Sequence, residues 1–329
     1  MPEQLAAGVI VVALVIYALT GGADFGGGVL DLTARGPRGA ELRALISRAI
    51  GPIWEANHVW LILVLVVAFV CLPGAFVAIN QALHLPLLIM LVGVVGRGAA
   101  FVFRAYDDPD PAVQRGWSLI FALSSLLTPM ALGVTLGAVA AGAAAPSVAP
   151  AFLGPWLAPF PLVVGALVTA SVTQLAACHL LNETSAPELR EDLRARGLVA
   201  GALCGALALT GLALARTGAP VLYAGLVQSP VAPLFHAITG GAALGGLFAL
   251  YRRRWALARV FVAAQVALVA LGWAGAQWPL AVPPDLTITA AAAPREVIVP
   301  VLWALGVGAL GLVPALILLF RVFRREEGG

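Results

Sequence analysis

The sequence contains no lysine. All nineteen of its cations are arginine, and with sixteen acids the charged residues make up only 11% of 329 positions. Beside 61% hydrophobic residues, so little charge excludes a soluble domain of this size, whose surface must offer polar groups to water. The chain is read as an integral membrane protein. Its net charge of +3 is spread over several loops, which excludes a basic patch for nucleic acid. The three cysteines, Cys71, Cys178 and Cys204, fall in apolar runs and form no CxxC pair, so they read as small core residues and not as a disulfide or metal site. Histidine is also scarce: His58, His84, His179 and His236 lie on four different apolar runs, and Met90 and Met130 are the only internal methionines. A chain carrying haem across a membrane presents paired axial ligands on facing helices, and this ligand supply argues against it. His84, His179 and His236 read instead as histidines bonded to backbone. The opening "MPEQ" lacks the positive leader of a cleaved signal peptide.

What is present is a series of long apolar runs. A span needs about 20 apolar residues, and runs of that kind fall at 5–24, 53–72, 82–103, 116–141, 158–181, 197–215, 231–251, 256–277 and 298–320. All read as helices, because a helix satisfies its own backbone hydrogen bonds in lipid. With nine spans, the segments after spans 1, 3, 5 and 7 share a side with the C-terminus. Seventeen of the nineteen arginines lie on that side, with only Arg216 and Arg295 on the other. Because cytoplasmic loops are enriched in Arg and Lys, the pattern predicts an all-α integral membrane protein of nine spans, N-terminus outside and C-terminus inside. The Pro/Ala segment 142–157 separates two blocks of four helices. The expected organisation is a first four-helix bundle over 1–145, a second over 146–280, and an outer loop with a peripheral ninth helix over 281–329. The loop 278–297 is the longest outer connection and is expected to pack on the outer face.

Ionisable groups inside a membrane are costly, so each asks for a reason. Asp24 and Asp31 sit at the inner end of span 1 within "GGADFGGGVLDL", Glu55 opens span 2 within "GPIWEANHVW", and Arg97 lies about two turns inside span 3 with Arg104 at its boundary. Asp24, Glu55, Asn57, His58, Arg97 and Arg104 therefore share one depth near the cytoplasmic side. Arg97 is deep enough to need a partner, with Glu55 or Asp24 as the nearest candidates. Arg104 is expected to snorkel to the surface. Plainer readings stand beside these. Glu55 could simply cap its helix at the positive dipole end, and Trp54 and Trp60 could belong to an interfacial aromatic belt. The glycines Gly21, Gly22, Gly26, Gly27 and Gly28 allow close helix approach or local unwinding. They are not a phosphate loop, which needs a Lys-Ser/Thr ending after a strand.

These stretches carry a resemblance. "GADFGGGVLDL" followed by "IGPIWEANHVWLI", then "GVVGRGAAFVFR" at 93–104, "ARVFVAAQVALVALGWAGAQWPLAVPPDLTI" at 258–288 and "RVFR" at 321–324 together resemble subunit II of the cytochrome bd quinol oxidases, in order along the whole chain. The resemblance implies a heterodimer in a bacterial cytoplasmic membrane. The partner, subunit I, would carry the b and d haems, oxidise quinol near the outer face and reduce oxygen to water with cytoplasmic protons. This chain would bind no redox cofactor itself; it would stabilise subunit I and supply a cytoplasmic proton entrance. Room is left for a structural quinone or lipid and for a small single-span accessory subunit.

The resemblance also assigns positions. Glu55 stands where the family has the aspartate that admits cytoplasmic protons, Asn57 matches the family's asparagine, and Trp60 matches a second tryptophan near an oxygen route. The chain departs from the pattern twice. Gly21-Gly22-Ala23-Asp24 replaces Asp-Gly-Phe-Asp, so that Asp24 matches only the second acid. Glu55-Ala56-Asn57-His58 replaces Asp-Gly-Asn followed by Glu or Gln. His58 could join the relay, since histidine titrates near neutral pH, or pair with Asp24. Two other readings compete: a proton- or ion-coupled transporter using Asp24, Glu55 and Arg97, and a purely structural membrane subunit. Transporters place their acids near mid-membrane, whereas these lie towards one face.

Overall fold

The computed structural model describes residues 1–34, 36, 38–50, 54–106, 110–148 and 154–326, without the side chains of 50, 54, 55, 105, 106, 111, 313, 316, 317 and 319–326. Among the described residues the chain is almost wholly helical. The helices are α1 (Pro2–Leu32), α2 (Gly39–Ile50), α3 (Trp54–Cys71), α4 (Pro73–Ala82), α5 (His84–Tyr106), α6 (Pro111–Ala140), α7 (Pro159–Leu180), α8 (Pro187–Gly218), α9 (Pro220–Val227), α10 (Ala232–Tyr251), α11 (Trp255–Gln277), α12 (Ile288–Ala291) and α13 (Arg295–Glu326). Six of them (α1, α4, α6, α7, α8 and α9) begin on a proline. Proline at the first helical position loses no hydrogen bond and presets φ, so these residues punctuate a chain that has few polar loops.

Eight helices are long and apolar enough to cross a membrane: α1, α5, α6, α7, α8, α10, α11 and α13. The expected second span is α3, which ends at Cys71, one residue before Leu72. Pro73 follows, α4 leaves at 114°, and the two together make a ninth candidate. Proline cannot continue the hydrogen-bond ladder of a preceding helix and clashes with its last turn, which explains the break. The expected sixth span, 197–215, is the apolar part of a longer helix, because α8 begins at Pro187. Its first three turns carry Arg190, Glu191, Asp192, Arg194 and Arg196, assigned from sequence to a loop. Pairs Arg194–Glu191 at 2.8 Å and Arg196–Asp192 at 2.9 Å stabilise that polar extension at helical spacing.

Packing is organised around α1 and α7. α1 packs on α3, α6, α7 and α11, while α7 packs on α6 and α8, and α13 lies against α1 and α3. The glycine run of α1 makes the contact with α7 close. α1 stays helical through it, and a Cβ at Gly26 would overlap the backbone carbonyl of Val172 on α7. On another face a Cβ at Gly28 would overlap the Ser125 hydroxyl of α6. Of the two uses open to these glycines, the structure shows helix approach, the small-residue packing of membrane helices.

Two buried clusters mark the ends. At the arginine-rich end the amphipathic α2 inserts Leu42, Leu45 and Ile46 beside Leu30, Leu175 and Leu193. At the opposite end Leu72, Leu83, Val134 and Trp156 meet Val282 and Ile288. The latter two come from the long connection 278–297, which folds as a hairpin of β1 (Leu280–Val282) antiparallel to β2 (Leu286–Thr287), followed by α12. A hydrogen bond from the Ser147 hydroxyl to Asp285 ties this cap to the α6–α7 connection.

Candidate functional site

The site is built at the arginine-rich end of α1, α3 and α5. Asp24 points from α1 towards α3, where Asn57 Nδ2 donates to Asp24 Oδ2 at 2.5 Å. Both residues are buried. Arg97, on α5, is 1% exposed. Its guanidinium carbon lies 4.9 Å from the centre of the Phe25 ring and 5.3 Å from that of Phe121. Two aromatic faces thus take the place of water around a buried cation. Asp24 and Tyr17 are within electrostatic reach of Arg97, yet among the described residues Arg97 Nε and Nη2 find no hydrogen-bond partner. Of the two candidate partners for Arg97, Asp24 therefore interacts through charge and not through a hydrogen bond. The side chains of Trp54 and Glu55 lie outside the described residues.

Asp24 is engaged by Asn57, while the His58 ring packs with Tyr17 and Phe25 at centroid separations of 6.0 and 6.1 Å. Its Nδ1 lies 3.5 Å from the Tyr17 hydroxyl. Trp60 is half-buried further along α3.

A second cluster lies about 10 Å nearer the helix end, seven residues on at 1.5 Å per residue. Asp31 accepts from Arg43 Nε of α2 at 2.8 Å and from Arg104 Nη1 of α5 at 3.0 Å. Arg43 Nη2 also donates to the Ala34 carbonyl at 2.7 Å. Arg104 stacks over Phe121 at 5.1 Å. Arg104 thus does not reach for the surface, as its boundary position suggested. A carboxylate on the adjacent helix gives a charged hydrogen bond where water is scarce.

Between α1, α2, α3 and α7 lies a cavity of about 170 Å³. Asp24, Asn57, Thr20 and His179 are its polar walls. A water takes about 30 Å³, so this space holds about five. Sequence reading missed Tyr17, Phe25, Phe121, Arg43 and His179 as neighbours of the site. Tyr17 alone had a local signal, sitting two helical turns before Asp24 on the same face. The others arrive from helices whose relative placement no sequence spacing encodes.

His84 and His236 place Nδ1 at 3.2 and 2.8 Å from the carbonyls of Gln81 and Ala232, as expected of histidines bonded to backbone. Among the described residues no group of three or more His, Cys, Asp or Glu side chains is placed to hold a metal ion. The cavity beside Asp24 is smaller than the roughly 300–1,000 Å³ of ligand pockets, and neither its size nor its walls fit a haem.

Helices of this length and apolarity, capped at one end by arginine–carboxylate pairs and enclosing a buried acid beside a small internal cavity, define a multi-pass membrane protein with an internal ionisable site. The comparisons narrow the class. The family model for cytochrome bd terminal oxidase subunit II matches residues 2–323, and the chain belongs to that family. It is accordingly a multi-pass protein of the bacterial cytoplasmic membrane. A 125-residue stretch, 38% of this chain and 36% of the relative, is 34% identical to the cytochrome bd ubiquinol oxidase subunit 2 of Bacillus subtilis (strain 168). A 123-residue stretch, 37% of this chain and 32% of the relative, is 27% identical to the cytochrome bd-I ubiquinol oxidase subunit 2 of Escherichia coli (strain K12). These matches span about a third of the length of either relative. In fold, the chain superposes on the structure of the bd oxidase from Geobacillus thermodenitrificans with a TM-score of 0.80, covering 98% of each chain at 22% identity.

Proposed function

We propose that this chain is the haem-free subunit II of a quinol:oxygen oxidoreductase, which stabilises a haem-bearing subunit I and admits cytoplasmic protons towards it. The observation that carries the reading is the Asp24–Asn57 pair, buried at one end of α1 and open to a cavity with room for water. A carboxyl group in such a place takes up and releases protons, whereas the asparagine amide only holds it in orientation. The two nitrogens of Arg97 that have no partner among the described residues are donors for water, for Glu55 or for an acceptor on subunit I. By its place in the motif, Glu55, one turn before His58 at the start of α3, is the entry member of the same route with His58 as a further member, and Trp54, Trp60 and Arg104 have structural roles.

The arrangement goes with nine spans, α3 and α4 forming one broken span, and with the arginine-rich end in the cytoplasm. Residues 1–145 and 146–280 make the two four-helix units, and 281–329 the outer cap and the peripheral α13. The b and d haems and the quinol site belong to subunit I, and a structural quinone or lipid fits the apolar outer faces of this chain.

The test is made on the purified two-subunit complex. Asp24→Asn keeps an acceptor for Asn57 but removes the proton. Quinol-driven oxygen consumption should fall at least about a hundredfold, the lower side of what a positioned proton carrier contributes, with haem content unchanged. Glu55→Gln should also slow turnover, and Glu55→Asp should be better tolerated because it retains the carboxyl. Full turnover in both Asp24→Asn and Glu55→Gln would remove the proton role.

A further inference from the structure

The cavity beside Asp24 has a second polar wall that the family motifs do not contain. His179, in the last turn of α7, lines it together with Ala176. On its other side His179 Nε2 lies 4.0 Å from Glu183 Oε1, and the two side chains are 36% and 35% exposed. Ala176 and His179 lie three residues apart on one face of α7, and Glu183 follows in the bend just beyond its C-terminus. That face leads from the cavity to the arginine-rich surface.

The plain role of a histidine in a last turn is to serve the helix's terminal carbonyls. Here that role belongs to Asn182, whose Nδ2 donates to the Cys178 carbonyl at 2.8 Å and to that of Trp255 at 3.3 Å. His179 lines the cavity that Asp24 also lines and lies beside Glu183 at the surface.

We infer that His179, with Glu183 at its mouth, is a second cytoplasmic proton entrance, feeding Asp24 through the cavity between α1 and α7 without passing Glu55. It rests on the reading of Asp24 as a proton acceptor. One ring nitrogen takes a proton from water or from Glu183, and the other releases its proton through cavity water to the Asp24 carboxylate. The imidazole ends neutral in its other tautomer, a ring flip restores the first, and Asp24 carries the proton on. Imidazole is suited to this because it has both a donor and an acceptor nitrogen and titrates near neutrality.

The test compares His179→Ala, His179→Asn and Asp24→Asn in the intact complex, measuring quinol-driven oxygen consumption and haem spectra with and without added imidazole. Expected is a partial loss of turnover in both His179 variants with normal haem spectra, because the Glu55 entrance still feeds Asp24, and a fall to the Asp24→Asn rate when His179→Ala is combined with Glu55→Gln. Imidazole should restore His179→Ala, where the shortened side chain leaves room for it, and should not restore Asp24→Asn. Full turnover in the His179 variants with a slow Asp24→Asn would overturn the second entrance and leave the proton role of Asp24 standing. A slow His179→Ala that imidazole does not restore would assign His179 to packing and equally overturn the entrance. Full turnover in Asp24→Asn as well would sink both readings.

Discussion

Asp31 offers the sharpest energetic test of the arginine-rich end. Its side chain is 3% exposed and accepts from two guanidinium groups that differ in their access to water. Arg43 is 43% exposed, so its bond belongs with surface pairs worth about 0–1 kcal/mol. Arg104 is 17% exposed and lies over Phe121, and a charged hydrogen bond in that setting contributes about 1.5–3 kcal/mol. Removing the carboxylate in Asp31→Ala should therefore destabilise the folded subunit by about 2–4 kcal/mol, since it leaves Arg104 without its partner as well as losing both bonds. Asp31→Asn keeps one acceptor without the charge and should cost about half as much. The measurement is unfolding of the purified complex in mixed micelles at rising denaturing-detergent fraction, followed by helical circular dichroism. A double-mutant cycle with Arg104→Ala should return a coupling of about 1.5–3 kcal/mol. If Asp31→Ala unfolds within about 0.5 kcal/mol of the parent, or the cycle shows no coupling, the clamp does not hold α1, α2 and α5 together.

Gly26→Ala places a Cβ against the Val172 carbonyl and should force α1 from α7, destabilising by at least about 1–3 kcal/mol. Because Ala176 and His179 ride on α7, turnover should fall with it, and a variant with parental stability and activity would show that the helix contact is loose. Cys71, Cys178 and Cys204 are free and buried, so a membrane-permeant maleimide should label none of them in the native complex and all three after denaturation. Rapid native labelling of any one would contradict the packing around it.

Much of the site was legible before the structure, because burying charge in lipid is costly. Asp24 and Arg97 could be singled out simply as ionisable residues among apolar neighbours, and Asn57 by its place in the motif. Which acid would meet which arginine was not legible. Arg97 and Arg104 are seven residues apart on one helix, yet one faces two phenylalanine rings near Asp24 and the other hydrogen-bonds Asp31. The choice depends on how α5 is rotated against α1 and α6. His179 could not be found from sequence at all, since its relation to Asp24 crosses 155 positions and exists only because Gly26 lets α7 come close.

By itself the sequence determined that the chain is a bundle of membrane helices and where each apolar run lies, because lipid leaves the backbone no other way to satisfy its hydrogen bonds. It also determined the family, through motifs that name residues without placing them. The tertiary structure alone decided that the glycines of α1 are a contact surface, that α3 and α4 meet at a sharp bend, and that a cavity joins Asp24 to α7. Those outcomes follow from the packing of side chains far apart in sequence, where a clash of one Cβ or the rotation of one helix selects among arrangements that local hydropathy cannot tell apart.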